Sequence, residues 1–578
     1  MHPSPHHTIA LLLVSVAACT PGQPPTGARA SSSAVVAPWP LADRARVTEG
    51  ARAMVVSGHP LASQVGRNVL QDGGNAVDAA VAVGFALSVV LPAAGNIGGG
   101  GFMVIRQADG TVRTLDYRET APRAATRDMY LDARGNPTER SITGHLAAGV
   151  PGSVAGLLEA HARLGRLPLA RLIDPAIRLA RDGFVVDAYR SRSIQRDSAR
   201  LSRFEASRAQ FLPGGRPPAP GELLRQPDLA RTLEAIRDHG ADGFYRGWVA
   251  DSLVAEMRRG SGIISHEDLA SYRPVWREPI RFTYRGYTLF SMPPSSSGGI
   301  TLAEILRILE GYEPLPPFGS AALLHLEAEA MRRAFTDRNR YLGDPDFVRV
   351  PLDRLLSRRH ADSLRATIDR TRATPTPPFD PSLPDGPQTT HYSVVDAEGN
   401  AVSATTTLNN SYGSAVTVRG AGFLLNDEMD DFATAPGKPN MFGLVQGEAN
   451  AIAPGKRMLS AMTPTIVLDP AGNLFLVVGT PGGSTIITQV YHVISNVIDH
   501  AMPLARAIGA PRMHHQALPD SIQVERNGFP AAVLDSLRAM GHGIKVRDPW
   551  GDVEAIIRIP GGWQGVSDPR LGGGGAGY

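Results

Sequence analysis

A proline-rich stretch without hydrophobic periodicity, residues 373–388, runs directly into two alternating segments, 389–395 and 401–408. Proline cannot donate to a ladder and the stretch has few apolar anchors, so it reads as a loop or linker. The alternation beyond it reads as a pair of strands joined by Asp396-Ala397-Glu398-Gly399-Asn400, a β-hairpin. If residues 397–399 form a three-residue loop, Gly399 takes the left-handed position such loops prefer. Asp396 then faces Asn400, and counting outward sets Thr389 opposite Thr407. Directly opposed residues hold their Cβ atoms about 4.5–5.5 Å apart, within hydroxyl–hydroxyl reach. A two-residue loop would pair Thr389 with Leu408 instead.

A floppy segment abutting a rigid strand makes chemical sense if the chain is cut there. A threonine at a new N-terminus carries a hydroxyl nucleophile and its own α-amine as a base. That amine has an ordinary pKa of about 7.7–8.0, so much of it accepts a proton near neutrality. Before the cut the same nitrogen is an amide without basicity, and the precursor is expected to be inactive.

The 578 residues allow either two lobes or one large intertwined domain. A net charge of +3, spread without any basic run interleaved with aromatics, gives no argument for nucleic acid. Cys19 is the one cysteine, which excludes an internal disulfide. It follows an apolar run, 9–18, too short to span a bilayer but suited to the core of an export signal. Val16-Ala17-Ala18-Cys19 resembles a lipobox, so residues 1–18 read as a lipoprotein-type signal and Cys19 as the lipidation site. The protein is then expected outside the cytoplasm, in the periplasm and held at the membrane by lipid. His2, His6 and His7 stand where such signals carry Lys or Arg. Residues 19–46, opening with a Pro/Ser/Ala-rich run, read as a disordered tether.

Further along, 60–70 and 76–90 read as helices, the second apolar all round and therefore buried. Residues 102–105 and 283–291 read as strands, and 169–182, 226–239 and 300–309 as amphipathic helices. After the hairpin come strands at 466–468 and 474–478 and a helix at 486–499. The chain thus divides into a mixed first two-thirds and a strand-led last third. His514-His515 is unaccompanied by HExxH, CxxC or a spaced carboxylate cluster, so the pair reads as packing and the sequence names no metal and no cofactor. Residues 572–575 read as a glycine tail, and the serines of 295–297 lack a GxSxG elbow.

The run Thr389-Thr390-His391-Tyr392-Ser393-Val394-Val395-Asp396 resembles the processing site of γ-glutamyltransferases, also called glutathione hydrolases. Residues 95–102, 116–122, 148–156, 293–299, 424–432, 459–466, 479–484 and 511–516 match further motifs of that family in the same order. The resemblance implies an α+β, four-layer αββα sandwich of the N-terminal nucleophile hydrolase type. It implies a large subunit, 47–388, and a small catalytic subunit, 389–578, cut from one precursor between Gln388 and Thr389. Thr389 becomes nucleophile and, through its amine, base. Thr407 orients the hydroxyl, and the N–H groups of Gly482 and Gly483 form the oxyanion hole. Arg118 matches the arginine that grips the substrate α-carboxylate, Ser460 a serine on the same carboxylate, and Asn409, Glu428 and Asp431 the group around the α-ammonium. Such a site is expected to hold its cation and its anions apart. The partners implied are glutathione or other γ-glutamyl compounds, with water, amino acids or peptides as acceptors.

Two positions depart from the family. Ala461 stands where a second serine is usual, so one hydroxyl is missing from the carboxylate site. Phe442, in the lid at 436–443, stands where related bacterial enzymes carry tyrosine, which keeps the apolar cover and loses the phenol. Two rival functions share these residues: an acylase for glutaryl-type amides, which lack the α-amine, and an uncut exported binding protein.

Overall fold

The computed structural model describes residues 39–375 and 389–578. Cys19, Gln388, the signal at 1–18 and most of the tether and linker lie outside those residues. Of the expected tether, 19–46, only residues 39–46 are described. Trp39 is buried, donates its indole N–H to the Gly509 carbonyl at 2.6 Å, and lies under the Arg570 guanidinium. Burying an indole with its donor satisfied fixes the chain well before residue 46.

Two seven-stranded sheets form the centre. One holds β1 (Arg46–Gly50), β6 (Ile280–Tyr284), β7 (Tyr287–Ser291), β10 (Thr465–Leu468), β11 (Leu474–Gly479), β12 (Glu554–Ile559) and β13 (Gly562–Ser567). Its order is β1-β13-β12-β11-β10-β7-β6. The other holds β2 (Met54–Ser57), β3 (Gly100–Arg106), β4 (Val112–Asp116), β5 (Val275–Arg277), β8 (Thr389–Val395), β9 (Ala401–Thr407) and β14 (Gly574–Gly577), in the order β14-β2-β8-β9-β3-β4-β5. The strand expected over 283–291 is two strands: Arg285 and Gly286 both have positive φ and turn β6 back on β7. The glycine tail is likewise the edge strand β14, paired to β2.

Period-2 alternation sorts the side chains into layers. Met54, Val56, Val104, Val395, Ile466, Val477 and Ile556 meet between the sheets. Their neighbours Val55, Met103, Ile105, Val394 and Val402 face the opposite way. There they pack against α1 (Pro60–Gln71), α2 (Ala76–Val90), α3 (Ser153–Leu164), α4 (Leu169–Asp182) and α5 (Pro227–His239). Leu289, Val467, Leu476 and Val478 pack against α6 (Gly298–Glu310), α7 (Ala321–Tyr341) and α9 (Thr485–Ile498), with α8 (Arg358–Arg365) beside α6 and α7. The result is helix, sheet, sheet, helix: the expected αββα sandwich. The first two-thirds and last third of the chain are interleaved in both sheets and are not separate bodies.

Candidate active site

The hairpin has the three-residue loop. Asp396 N–H bonds the Asn400 carbonyl at 3.0 Å, Gly399 has φ +87°, and Thr389 pairs with Thr407. Asp396 fixes this turn with its own carboxylate, accepting from the N–H groups of Glu398 (3.0 Å) and Asn400 (2.9 Å). It also accepts from Ala76 N–H at 2.9 Å, which ties the loop to the first turn of α2.

Thr389 and Thr407 therefore end up with their Oγ1 atoms 3.2 Å apart, with Thr389 only 7% exposed. Thr407 Oγ1 also accepts the Asn409 N–H at 2.8 Å. Asn409 sits at φ +77°, a conformation asparagine tolerates better than most residues, and its amide donates to the Asp427 carbonyl at 3.1 Å. Two residues along β8, His391 is buried between Thr405 Oγ1 (2.8 Å) and Ser393 Oγ (3.1 Å). Burial pushes its pKa down to about 3, so it stays neutral.

Facing the threonine pair is the turn before α9. Gly482 has φ +137° and Gly483 φ +56°. A Cβ on Gly482 would lie 2.6 Å from Gln489 Nε2, and one on Gly483 2.6 Å from the Phe442 ring. Among the described residues neither glycine N–H meets an acceptor, and both stand at a helix N-terminus, where the dipole favours negative charge.

The charged residues gather in the same cavity, but they are not held apart. Arg118 donates from Nη1 to Glu428 and from Nη2 to Asp431, and all three are buried. Arg118 Nε reaches the Met458 carbonyl at 3.3 Å, and Glu119 lies 3.8 Å away. The expectation of separated charges fails because the site lies deep enough for unpaired ions to be costly, and the side chains satisfy each other. One arginine cannot neutralise three acids. Burial pushes Glu428 well above the usual carboxylate range and Glu119 up to about 8, with Arg118 opposing both shifts. Burial alone would lower Arg118, but Glu428, Asp431 and Glu119 together hold its pKa above normal. These pairs leave a cavity of only about 20 Å³ between them and Thr389, room for about one water.

Ser460 is locked in place: its carbonyl accepts from the N–H and hydroxyl of Ser297 (2.8 and 2.6 Å), and its hydroxyl accepts from Met462 N–H at 3.1 Å. Ala461, 8% exposed, lines the cavity where the second hydroxyl would stand. Phe442 covers it, with the lid backbone held by Gln516 Nε2 on the Phe442 carbonyl (3.0 Å) and by Met441 N–H on Asp430 (3.0 Å). His514 and His515 bond different partners, Thr488 and Gln516 for one ring and Asp520 and Ala517 for the other, and so pack as expected.

One cavity residue escaped the sequence reading. Arg338 is buried and held by neutral oxygens: Ser297 Oγ at 3.2 Å, Asn339 Oδ1 at 3.0 Å and Gln446 Oε1 at 2.9 Å. Burial lowers its pKa to about 10, with Asp431 opposing. The available signal was periodicity, because Arg338 continues the buried stripe Leu324, Ala328, Met331, Phe335 of α7.

The family described as Gamma-glutamyltranspeptidase matches residues 62–578. The glutathione hydrolase proenzyme of Escherichia coli (strain K12) is 48% identical over 524 residues, covering 89% of this chain and 90% of that protein. The acylase ACY 1 proenzyme of Pseudomonas sp. (strain SE83) is 41% identical over 525 residues, covering 89% and 91%. Among solved structures, cephalosporin acylase from Bacillus halodurans superposes with a TM-score of 0.83 at 30% identity, covering 94% of this chain and 98% of that one. Helicobacter pylori gamma-glutamyltranspeptidase does so with a TM-score of 0.54 at 46% identity, covering 55% and 92%.

Proposed function

The chain belongs to the gamma-glutamyltranspeptidase family, and from that premise we propose how its residues divide the family's chemistry. The protein is an autoprocessed γ-glutamyltransferase and glutathione hydrolase of the N-terminal nucleophile fold, made as a proenzyme and working as two subunits. In our reading the chain is cut between Gln388 and Thr389, which frees the Thr389 α-amine. The Thr389 hydroxyl gives its proton to that amine and attacks the γ-carbonyl of the substrate. The carbonyl oxygen becomes an oxyanion between the N–H groups of Gly482 and Gly483. Collapse breaks the amide bond, and the leaving nitrogen takes the proton from the Thr389 ammonium. Water, or the amine of an amino acid or peptide, then attacks the γ-glutamyl ester and restores Thr389. Throughout, the hydroxyl of Thr407 holds the Thr389 oxygen in line.

The observation that carries this reading is the ion cluster beside the threonines. A γ-glutamyl group bears one carboxylate and one ammonium. Entering the cluster, it exchanges the pairs of Arg118 with Glu428 and Asp431 for two new sets: its carboxylate with Arg118 and Ser460, its ammonium with Glu428, Asp431 and Asn409. No buried charge loses its partner. A glutaryl group would take Arg118 and leave Glu428 and Asp431 without their paired cation; breaking a buried pair costs about 3–5 kcal/mol, less the part recovered as burial protonates Glu428. The acylase reading draws support from the 41% identity to acylase ACY 1 and from Ala461.

One experiment separates them. Purified protein is assayed on γ-glutamyl and glutaryl anilides and its chains are sized by mass spectrometry. We expect cleavage at Thr389 and a γ-glutamyl preference on the order of 100-fold. Thr389→Ala is expected to remain one inactive chain, and Thr389→Ser to process slowly with residual activity. Equal turnover of both anilides would favour the acylase, and an active, cleaved Thr389→Ala protein would remove the nucleophile.

Residues 1–18, in the same reading, direct export to the periplasm, with Cys19 as the lipid attachment point. Among the described residues no helix is long and apolar enough to cross a membrane.

A further inference from the structure

On the outer helical layer, Glu304 of α6, Asp337 of α7 and His360 of α8 bring one ligand atom each within 4.8 Å of one another. His360 Nε2 lies 2.5 Å from Asp337 Oδ2 and 3.7 Å from Glu304 Oε1. Glu304 is 1% exposed, and among the described residues neither of its carboxylate oxygens has a hydrogen-bond partner. A buried carboxylate without a donor needs an explanation, and a second carboxylate beside it deepens the need. The nearby cation Arg354 does not supply one: it is exposed, and its guanidinium turns to Tyr341 Oη at 3.4 Å.

We infer that Glu304, Asp337 and His360 bind one divalent cation of the zinc class, at a site that shares no residue with the cavity beside Thr389. The donor set fits. One imidazole and two carboxylates are ordinary zinc ligands, and two carboxylates balance a dication. Zinc bonds of about 2.0–2.2 Å in tetrahedral geometry put ligand atoms roughly 3.3 Å apart. The observed separations of 2.5 and 3.7 Å straddle that value, so small side-chain rotations suffice, with water as fourth ligand. The three residues share no short spacing, since each comes from a different helix, which is why no sequence motif announces them. The ion would clamp α8, the last helix before the linker, onto α6 and α7. It would also fix α7 at the residue preceding Arg338.

The test uses the processed enzyme, dialysed against chelator and titrated with Zn²⁺ alone, with metal content, calorimetry and thermal melting as readouts. One Zn²⁺ per molecule and a Tm rising with zinc concentration are expected. Glu304→Gln and His360→Gln should lose affinity by more than the roughly 10–100-fold typical of removing an outer-shell partner. Both variants retaining wild-type zinc affinity would overturn the site, as would a wild-type Tm indifferent to zinc. Should the variants fail to fold, Co²⁺ spectra of the wild type decide: tetrahedral ligand-field bands support the site, and octahedral aqua-like spectra overturn it.

Discussion

At the scale of single residues, the site is a set of exchanges between charge and burial. Ala461 stands where the resemblance to the family leads one to expect a second serine. It lines the cavity beside Ser460, and its methyl faces the place where a substrate carboxylate would meet Arg118. A hydrogen bond to a charged group contributes about 1.5–3 kcal/mol. Ala461→Ser is therefore expected to lower KM for a γ-glutamyl anilide by about tenfold or more with kcat little changed, because the added bond forms equally in ground and transition states. Steady-state kinetics of the two proteins check this, and an unchanged KM would show that the carboxylate does not lie against residue 461. Much of the cavity's lining was named before the fold. The threonines came from the hairpin pattern and Gly483, Glu428 and Asp431 from matching motifs, and the structure brings these residues to one cavity. Arg338 was not named, since nothing local in the sequence separates it from Arg332 and Arg333 of the same helix, which are buried but do not line the cavity.

At the scale of elements, strand register does the positioning. A slip of one residue would turn Thr389 to the opposite face and set it against Leu408. The register is pinned at the far end of the hairpin, some six residue pairs from the threonines, by one carboxylate serving the N–H groups of Glu398, Asn400 and Ala76. Asp396→Ala strips four donors of their acceptor, the side-chain amide of Asn400 among them, and with Asp396 itself buried about 2–3 kcal/mol is expected to be lost. In urea titrations the midpoint should fall with an unchanged m-value. Conversion of precursor into two chains should slow in parallel, because the same register aims the Thr389 hydroxyl. Normal processing in a destabilised Asp396→Ala protein would separate register from catalysis. From the sequence the register stayed a choice between a two- and a three-residue loop, and the structure has the three-residue one, with Gly399 at positive φ and Thr389 opposite Thr407. The turn at Arg285-Gly286 passed unseen because its first residue, a non-glycine at positive φ, carries no compositional mark and the lone Gly286 was read as part of one strand.

At the scale of the whole molecule, the proposed cut falls between two strands' neighbours rather than between two bodies. β8 and β9 begin the small subunit, yet β8 lies between β9 and β2, and β9 between β8 and β3. At the outer edge of the same sheet β14 pairs with β2, and in the other sheet β10 pairs with β7. The sequence suggested a mixed part followed by a strand-rich part, and composition is blind to this interleaving because strand pairing across hundreds of residues leaves no local trace. Were residues 389–578 made alone, β8 and β10 would each present a bare edge, and Val394, Val402 and Ala404 would lose the apolar face of α2. An unpaired hydrophobic edge aggregates. The small subunit expressed by itself is therefore expected to be insoluble. The processed enzyme should run as one particle of both chains and unfold in a single transition. Sedimentation and urea titration of the cleaved protein test this. Two separate transitions, or a small subunit soluble and folded on its own, would mean that each chain carries its own core and that the interleaved sheets contribute little to holding the halves together.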